Sequence, residues 1–396
     1  MTAADAPCPR LDPRVNACFA KWISASTGRA AALRAGFGRP RWREQIHPKS
    51  VRHAANRCTA PVVTDTLSDV LRAVRLEGAV FFTVEASDPW VADTPRASEV
   101  APHLMPGVEH VIAYHVLTEG SCHGGLIGEP PFLMEAGDVL VFPQGDAHVM
   151  SSTPGMRGEP ATEVYLAASK GVPVALSIQG GGPGKVRIIC GYLGCDARPF
   201  NPLLSTLPRV IHVRGKSGAD SILRRLVELA VEETSSPRSG SECALSRLSE
   251  LLFVEIVRHY LASLPPDSTG WFAGLRDLHV GGALHKIHER PAHAWTLEAL
   301  AREVGASRSV LAERFAHLVG IPPIQYLAQW RIQLAASLLR SSKASLAEVA
   351  DRVGYGSEAA LSRAFKRMVG VAPAHYRRAE EPAAAPERAA ALAAAK

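Results

Sequence analysis

The chain has 396 residues, of which 47% are hydrophobic, and a formal net charge of +6. This length is more than one ordinary domain needs, so we expect two or more domains with sizeable cores. No stretch approaches the roughly 20 consecutive apolar residues of a membrane-spanning helix, and no basic start followed by an apolar block marks a secretory signal. These features argue against a membrane protein and a secreted protein, and we expect a cytoplasmic protein with no membrane partner.

Charge is unevenly distributed along the chain. Residues 286–378 hold 14 Lys and Arg against 7 Asp and Glu, whereas residues 58–285 hold 17 against 25. A basic C-terminal module therefore follows an acidic body. A basic run is often only a solvated surface, but it is also the electrostatic signature of a nucleic-acid-binding module.

Residues 1–62 form a basic extension with little apolar periodicity. Between residues 10 and 57 there are 11 Lys and Arg but only 2 Asp and Glu. We predict that this extension is disordered, with a DNA-contacting arm and a targeting peptide as alternatives. A misassigned translation start is a further alternative, because no methionine lies between Met1 and Met105. A GTG codon for Val62 or Val63 would begin translation just before the first folded pattern.

Residues 65–215 have the pattern of a β domain preceded by a short helix. TLSDVLRAVRL, which begins at Thr66, predicts the amphipathic helix. Short β-type runs separated by Gly and Pro follow, and their length and spacing predict a sandwich or a barrel. The runs are AVFFTVE, HVIAYHVL, DVLVF, EVYLAA, VRIICGYL and RVIHV.

The most distinctive motif of this β domain is GDVLVFPQGDAHVMSS, from Gly137 to Ser152. The intervals between Gly137, Pro143, Gly145 and His148 resemble the second motif of the cupin family, a hairpin that points one histidine into a barrel. The resemblance implies that this domain is a cupin-like barrel. Its upstream segment HVIAYHVLTEGSCHGG resembles the first cupin motif only loosely.

The metal-binding part of the cupin pattern is incomplete. A working cupin centre needs a His-x-His pair and a carboxylate, and His115 has no second histidine two residues away. We therefore expect no metal and no resident cofactor, and we interpret the barrel as an effector pocket. A metal on His115, His123 and His148, in a cupin-type metalloenzyme, is the alternative. The candidate pocket residues are His115, Cys122, His123 and His148.

Cysteine supplies two further hypotheses. The gap between Cys190 and Cys195 would suit a switchable disulfide, and the position of Cys122 beside His123 would suit an activated thiol. A structural disulfide is not expected in a reducing cytosol. A buried apolar cysteine is the alternative for each of these positions.

Residues 216–276 are predicted to form a helical linker and dimerisation region. Apolar residues three and four apart predict helices in ILRRLVELAVEE and CALSRLSELLFVEIVRHYLASL. For the second helix we favour a two-fold dimer seam, with packing on the barrel as the alternative. PPDSTGWFAGLRD then predicts the linker to the next domain. The seam residues are Leu245, Leu248, Leu251, Leu252, Ile256 and Tyr260.

One helical unit occurs twice between Thr296 and Arg378. The copies align with a shift of 49 residues, which becomes 50 after a single insertion. A register that matches apolar, Gly, Pro and aromatic positions at once indicates a duplicated fold rather than an ordinary helical bundle. The matched pairs are Leu297 and Leu346, Ala301 and Ala350, Val304 and Val353, Gly305 and Gly354, Ser307 and Ser357, Leu311 and Leu361, Phe315 and Phe365, Gly320 and Gly370, Pro323 and Pro373, and Tyr326 and Tyr376.

Each copy has the helix-capping signals of a helix-turn-helix. Ser345 and Glu348 form a capping-box signal at the start of the second copy. Gly305 and Gly354 suit the left-handed end of the first helix in each copy, and a serine shortly afterwards can cap the next helix. The segment 322–340 between the copies predicts one helix about 28 Å long. Such a rod would hold two recognition helices in major grooves that recur every ~34 Å.

The second helix of each copy is predicted to read DNA. It buries Leu311 and Phe315 in one copy and Leu361 and Phe365 in the other, which leaves the opposite face free. In a helix-turn-helix that face is aimed at base edges, with flanking polar and basic groups on phosphates. The candidate DNA-binding residues are Ser307, Ser309, Ala312, Glu313, Ser357, Ala359, Ala360, Arg363, Lys366 and Arg367.

With Gly-Tyr-Gly-Ser at 354–357 and Pro-x-x-Tyr at 373–376, the doubled unit at 280–379 resembles the DNA-binding domain of the AraC family. The resemblance implies a one-component transcription regulator, not an enzyme. Such a protein binds promoter DNA at the nucleoid as a homodimer, responds to an unknown small effector, and contacts RNA polymerase if it is an activator. An architectural DNA-binding protein without a ligand is the alternative.

The two units are not predicted to be equivalent. Relatives often present longer polar or basic groups where Ala312 and Glu313 stand, so we expect the second unit, with Arg363 and its neighbouring cations, to be the better DNA reader. The predicted fold class is α+β multidomain, with a cupin-like barrel, a helical linker and an all-α double helix-turn-helix domain. The Ala-rich tail at 380–396 is predicted to be disordered, with no assigned role.

Overall fold

The computed structural model describes residues 65–77, 81–160, 174–215 and 222–380. The basic extension at 1–62, the predicted strand EVYLAA and all but the first residue of the Ala-rich tail lie outside these ranges. A β domain precedes a series of helices, so the predicted α+β class is confirmed. Across the described ranges, no helix has the length and apolar character needed to cross a membrane.

The strands of the β domain form two sheets. In chain order they are β1 Phe81–Ser87, β2 Val91–Thr94, β3 His110–Glu119, β4 Ser121–Leu126, β5 Phe132–Glu135, β6 Val139–Phe142, β7 His148–Ser151, β8 Val174–Gln179, β9 Lys185–Cys195 and β10 Ile211–Val213. The larger sheet has the order β10-β6-β3-β9-β1-β8, and the smaller sheet has the order β2-β7-β4-β5. Strands β1 and β8 are parallel, whereas the other paired strands are antiparallel.

Strand β3 separates two apolar cores. Val111 and Ala113 belong to an inner core between the two sheets, and Ile112 and Tyr114 belong to an outer core on the opposite face of the larger sheet. This arrangement follows from the period of two in a strand, which points successive side chains to opposite faces. Strand β9, the partner of β3, alternates in the same way. The larger sheet is therefore buried on both faces near its centre.

Helices cover the outer face of the larger sheet. Helix α1, Thr66–Ala73, precedes the strands and contributes Val70 and Ala73 to the outer core. Helix α2, Ala97–Leu104, lies between β2 and β3 and packs instead on the inner core. Helices α3, Ile222–Ser235, and α4, Ser241–Ser263, pack against each other, and α4 also packs against β9 and β10. The Tyr114 hydroxyl forms a buried 2.7 Å hydrogen bond with a serine of α4.

The predicted dimer seam on α4 is mostly part of the outer core. Leu245, Leu252 and Ile256 are each at most 1% exposed, whereas Leu251 is 52% exposed. The apolar stripe therefore packs within the chain, which was the alternative interpretation. Periodicity identified the buried face of this helix correctly, but it could not distinguish a sheet from a second copy as the partner.

Part of the predicted linker at 265–277 is folded into the core. Helix α5, Trp271–Arg276, buries its first two residues, and the Trp271 indole N–H donates to the Tyr326 hydroxyl over 2.8 Å. Asp277 then caps helix α6, Leu278–Glu289, by accepting from backbone N–H groups of that helix. The linker is therefore shorter than predicted, because two large aromatic side chains follow the Pro- and Ser-rich segment and are buried.

The duplicated unit folds as two helix-turn-helix motifs joined by a long helix, as predicted. Its helices are α7 Leu297–Glu303, α8 Arg308–Val319, α9 Pro323–Ser341, α10 Leu346–Val353, α11 Glu358–Val369 and α12 Pro373–Glu380. The Ser345 and Glu348 capping box is present. Ser307 and Ser357 cap α8 and α11 at equivalent positions. The repeated glycines Gly305, Gly320, Gly354 and Gly370 have φ between 67° and 89°, in the left-handed region that glycine tolerates.

Candidate DNA interface and sensor site

The recognition helices α8 and α11 bury one face and expose the other. Leu311, Phe315, Leu361 and Phe365 are 0% exposed. Among the predicted DNA-binding residues, Ala312 and Ala360 are half-buried and the other eight are exposed. The geometry therefore leaves the predicted faces accessible, with small side chains at the centre and polar or charged side chains around them.

The two recognition faces differ in charge. On the first unit, Arg308 pairs with Glu298 over 3.1 Å and Arg314 pairs with Asp277. The second recognition face carries three cations, Arg363, Lys366 and Arg367. They form no salt bridge within the described part of the chain, so their charges remain available to phosphates or base edges. Equivalent positions of the repeat are occupied by Glu313 and Arg363, by Ala316 and Lys366, and by His317 and Arg367.

A cavity of about 70 Å³ lies within the inner core of the β domain. Its wall is mainly apolar, and a small number of polar side chains interrupt it. This composition is typical of small-molecule sites. The lining residues are Phe82, Val84, Trp90, Ala92, Thr94, His115, Met150, Leu176, Ile188, Cys190 and Tyr192.

A chain of buried hydrogen bonds runs from the cavity wall into the β domain. Cys190 Sγ lies 3.0 Å from His115 Nδ1, His115 Nε2 lies 2.7 Å from His148 Nε2, and His148 Nδ1 lies 2.8 Å from the Asp146 carbonyl oxygen. Burial lowers the pKa of both imidazoles, that of His148 to about 4, so both are neutral at pH 7.

Because both imidazoles are neutral, the donor and the acceptor of each of these hydrogen bonds can be assigned. The Asp146 carbonyl can only accept, so His148 donates from Nδ1 and accepts at Nε2 from His115. His115 then accepts at Nδ1 from the Cys190 thiol, whose pKa is raised by burial. The polar atoms of the three side chains are thus all engaged, either with one another or with the Asp146 carbonyl, and these side chains carry no net charge.

The structure brings together only part of the predicted pocket. His115 lines the cavity, and His148 contacts His115 but does not itself line the cavity. His123 lies on the opposite face of strand β4 from Cys122, because adjacent residues of a strand alternate. Cys122 is 1% exposed and does not line the cavity. Burial raises the pKa of its thiol to about 12, which contradicts the activated-thiol hypothesis.

The predicted Cys190–Cys195 switch is incompatible with the fold. Both residues lie on strand β9, where five residues span about 16 Å, and they face opposite sides of the sheet. A disulfide needs Cα atoms within roughly 7 Å. Sequence spacing suggested the pair because the number of residues between two cysteines does not show which face of a strand each one occupies.

No group of three or more His, Cys, Asp or Glu side chains with metal-binding geometry occurs in the described residues. His115 and His148 lie close together, but their Nε2 atoms are hydrogen-bonded to each other. Glu119 is exposed and pairs with Arg187 outside the cavity.

Residues 196–207, which follow strand β9, form a docking segment for helix α9. Arg340 of α9 is only 3% exposed in its side chain, and its guanidinium donates to Asp196, to Glu109 over 3.4 Å and to the Tyr376 hydroxyl over 2.7 Å. Burial raises the pKa of Asp196 to about 6, against the opposing effect of Arg340. The β domain thus holds the second helix-turn-helix unit through a buried ionic cluster.

A second polar contact lies two turns earlier on α9. Gln333, which is 0% exposed, accepts from the backbone N–H of Phe200 over 3.0 Å and donates to the carbonyl of Ala73 over 3.4 Å. The Phe200 ring packs edge-to-face on Tyr326, with centroids 5.3 Å apart. Neither Gln333 nor Arg340 was singled out in the sequence, although both interrupt the apolar stripe of α9 seven residues apart.

A β sandwich with a mainly apolar cavity, joined to two helix-turn-helix motifs with exposed recognition faces, defines a DNA-binding transcription regulator with two types of domain. Two family models match the chain: one described as Cupin matches residues 65–262, and one described as Helix-turn-helix domain matches residues 300–379. The chain belongs to the AraC-like family of transcription regulators.

Relatives along most of the chain support this assignment. A Streptomyces lividans protein, named as an AraC-like transcription regulator, is 32% identical over 79% of this chain and 98% of its own length. The regulator AlkR of Acinetobacter baylyi is 28% identical over 79% of this chain and 99% of its own. The chain is a regulator with a DNA-binding domain and is not an enzyme, which confirms the prediction from the repeat.

Solved structures with similar parts were also found. The DNA-binding domain of AdpA in complex with a target DNA is 34% identical, covers 28% of this chain and 98% of its own, and gives a TM-score of 0.26. Fatty-acid-bound ToxT from Vibrio cholerae is 12% identical, covers 76% of this chain and 95% of its own, and gives a TM-score of 0.28.

Proposed function

We propose that the regulator reads promoter DNA mainly through its second helix-turn-helix unit, with the first unit acting chiefly to position it. The observation that carries this proposal is that Arg363, Lys366 and Arg367 of helix α11 form no salt bridge with any described residue. The equivalent positions of α8 hold Glu313, Ala316 and His317. Cations on an exposed recognition face attract phosphates and can donate to guanine, whereas Glu313 repels phosphates.

The test is binding of the full chain to the DNA upstream of its own gene and to a shuffled sequence, across a salt series. The informative variant gives the second unit the side chains of the first: Arg363→Glu, Lys366→Ala and Arg367→His. We expect at least a tenfold loss of affinity and a shallower salt dependence, because fewer counterions are released. The matched control alters only the first unit, by Glu313→Arg, and should not weaken binding. Equal binding of promoter and shuffled DNA by the unaltered chain would contradict the proposed function.

The β domain is proposed to be the effector sensor, and strand β9 its connection to the DNA-binding domain. Cys190 and Tyr192 of this strand line the cavity, and the strand ends next to Asp196, which pairs with Arg340. A ligand that shifts β9 would change how the docking segment holds helix α9. The shift in DNA affinity is bounded by the difference in ligand affinity between the two arrangements.

A homodimer is proposed through the exposed side of helices α3 and α4. Ile222, Leu229 and Leu251 are each at least 50% exposed there. Helix α3 has two arginines near its start and glutamates towards its end, so an antiparallel pair of α3 helices would set opposite charges against each other. Light scattering should show a dimer that Leu229→Glu dissociates. Leu278→Glu, at a leucine that is 82% exposed elsewhere, is the matched control.

The proposed division of the chain has a sensor at 65–215, a linker and dimerisation region at 216–276, and a DNA-binding domain at 280–379. The proposed place of action is the cytoplasm, on nucleoid DNA. If the protein activates transcription, RNA polymerase is a further partner. A run-off transcription assay with purified polymerase distinguishes an activator from a repressor.

A further inference from the structure

We propose that the cavity of the β domain binds a small, neutral, mainly apolar molecule that carries a hydrogen-bond acceptor, and that this acceptor meets the indole N–H of Trp90. The proposal rests on the sensor role given above to the β domain. It names the chemical class of the effector.

The size and wall of the cavity set the first requirement. About 70 Å³ is well above the roughly 10–15 Å³ that a single water needs, so the space admits a compact organic molecule. Phe82, Val84, Met150, Leu176 and Ile188 supply much of the wall. Contact with these side chains favours an apolar body, because its transfer from water removes apolar surface on both partners.

The electrostatics of the cavity set the second requirement. None of the lining side chains is an acid, a lysine or an arginine. His115 is neutral because burial and the neighbouring His148 lower its pKa. The nearest carboxylate on strand β2, Asp93, lies between the lining residues Ala92 and Thr94, so it faces away, and Arg157 pairs with it over 2.7 Å. An anion or a cation in the cavity would lose its hydration without gaining a counter-charge.

The hydrogen-bonding groups set the third requirement. The chain from Cys190 through His115 to His148 already uses its own donors and acceptors. Trp90 is different: it lines the cavity, it is 2% exposed, and its Nε1 has no hydrogen-bond partner within the described residues. A buried donor without a partner is costly, so a ligand acceptor at this point would be favoured.

The experiment is calorimetric titration of the full chain with four probes of similar size: acetophenone, ethylbenzene, benzoate and benzylammonium. We expect acetophenone to bind most tightly, ethylbenzene about tenfold more weakly because it lacks the acceptor, and the two ions more weakly than ethylbenzene. Tighter binding of either ion than of acetophenone would overturn the proposal.

Two variants locate the interaction. Trp90→Phe keeps an aromatic ring and removes the N–H, so acetophenone affinity should fall about tenfold, to that of ethylbenzene, while ethylbenzene affinity stays within twofold. Trp330→Phe is the matched control, because Trp330 is also 2% exposed and its Nε1 also has no hydrogen-bond partner among the described residues. Trp330 lies on helix α9 and does not line the cavity. Equal losses in the two variants would overturn the role of Trp90.

Promoter binding by the same preparations separates this inference from the proposed function. Intact promoter binding with no detectable binding of the four probes would overturn the ligand class and leave the DNA-binding function standing. Binding of acetophenone without any promoter preference would support the ligand class and contradict the proposed function. A thermal unfolding scan of Trp90→Phe shows whether the variant is folded. A rise in the unfolding temperature of the unaltered chain on addition of acetophenone tests ligand binding without any variant.

Discussion

The two helix-turn-helix units descend from one repeated pattern, but they are attached to the rest of the molecule in different ways. In the first unit, Leu311, Phe315 and Tyr326 belong to the same apolar core as Ile112 of the larger sheet. The second unit packs in a separate core, around Phe365, with the latter part of helix α9. The apolar core of the first unit is therefore continuous with that of the β domain, whereas the second unit has a core of its own.

The second unit is attached to the β domain by polar contacts rather than by a shared apolar core. Arg340 joins it to Asp196 and Glu109, and Gln333 joins the middle of α9 to Phe200. Such contacts depend on geometry and can be lost as a set, whereas a shared apolar core resists separation in proportion to its area. The comparison teaches that the unit proposed to be the main DNA reader is also the one held by the more easily released contacts.

The largest expected effect comes from the equivalent phenylalanines of the two units. Phe315→Ala and Phe365→Ala should each cost about 3–5 kcal/mol of local stability, since both rings are 0% exposed. Only Phe315→Ala should also destabilise the sheet. Hydrogen exchange in a urea series, followed in peptides from β9 and α11, measures both. Equal destabilisation of β9 by the two variants would contradict the separate cores.

The next effect concerns the ionic cluster. Arg340→Met should destabilise the attachment of the second unit by about 3 kcal/mol, because Asp196 and Glu109 are left partly buried without their counter-charge. Chemical denaturation of the full chain measures this. Arg352→Met, at an exposed position of helix α10, is the matched control and should change stability by less than about 0.5 kcal/mol. Similar losses in both variants would show that Arg340 has no special role.

A smaller effect compares the recognition faces at their equivalent positions. Arg363→Ala should weaken binding to the preferred DNA site by about 1–3 kcal/mol and relax the sequence preference at one half-site, if Arg363 donates to a base. Glu313→Ala should leave affinity unchanged or slightly increased. Binding assays with systematically altered sites provide the measurement. Uniform weakening across all sequences by Arg363→Ala would instead assign Arg363 to a phosphate.

The smallest effect is a pH dependence at the docking segment. The pKa of Asp196 is raised from 3.8 to about 6 in the folded chain, so the folded state binds this proton more tightly than the unfolded state does. Its stabilising contribution is present below about pH 4 and is lost as pH rises through about 6. The stability of the unaltered chain relative to Asp196→Asn should therefore decline over this range. The matched control for the loss of a carboxyl group is Asp351→Asn, at an exposed position of helix α10.

Much of this architecture could be predicted from local patterns. Helix-turn-helix positions are set by caps and glycines within a few residues, as at Ser345 and Gly354, and the buried face of each recognition helix is set by spacing alone. The inward direction of His148, which is 1% exposed, was implied by the resemblance of its hairpin to the second cupin motif. Short strands such as β2 and β5 have four residues each and no alternating pattern, so they were not recognised.

The parts that were missed depend on contacts between distant segments. Nothing near Arg340 in sequence reveals that Asp196 lies 144 residues earlier at its side, and Trp90 meets the cavity only after β2 pairs with β7. The cysteine hypotheses failed for the same reason, because spacing does not say that Cys190 and Cys195 share one straight strand with opposite faces. Long-range pairing, rather than local propensity, decides these positions.

Native-state hydrogen exchange of the full chain tests the central comparison most directly. The account predicts that amides of α10 to α12 exchange through an opening with a lower free energy than amides of α7, α8 and strand β9, and that these last three exchange together. Arg340→Met should lower the opening energy of the first group alone. One common opening energy for all of these elements, unchanged in pattern by Arg340→Met, would contradict the account.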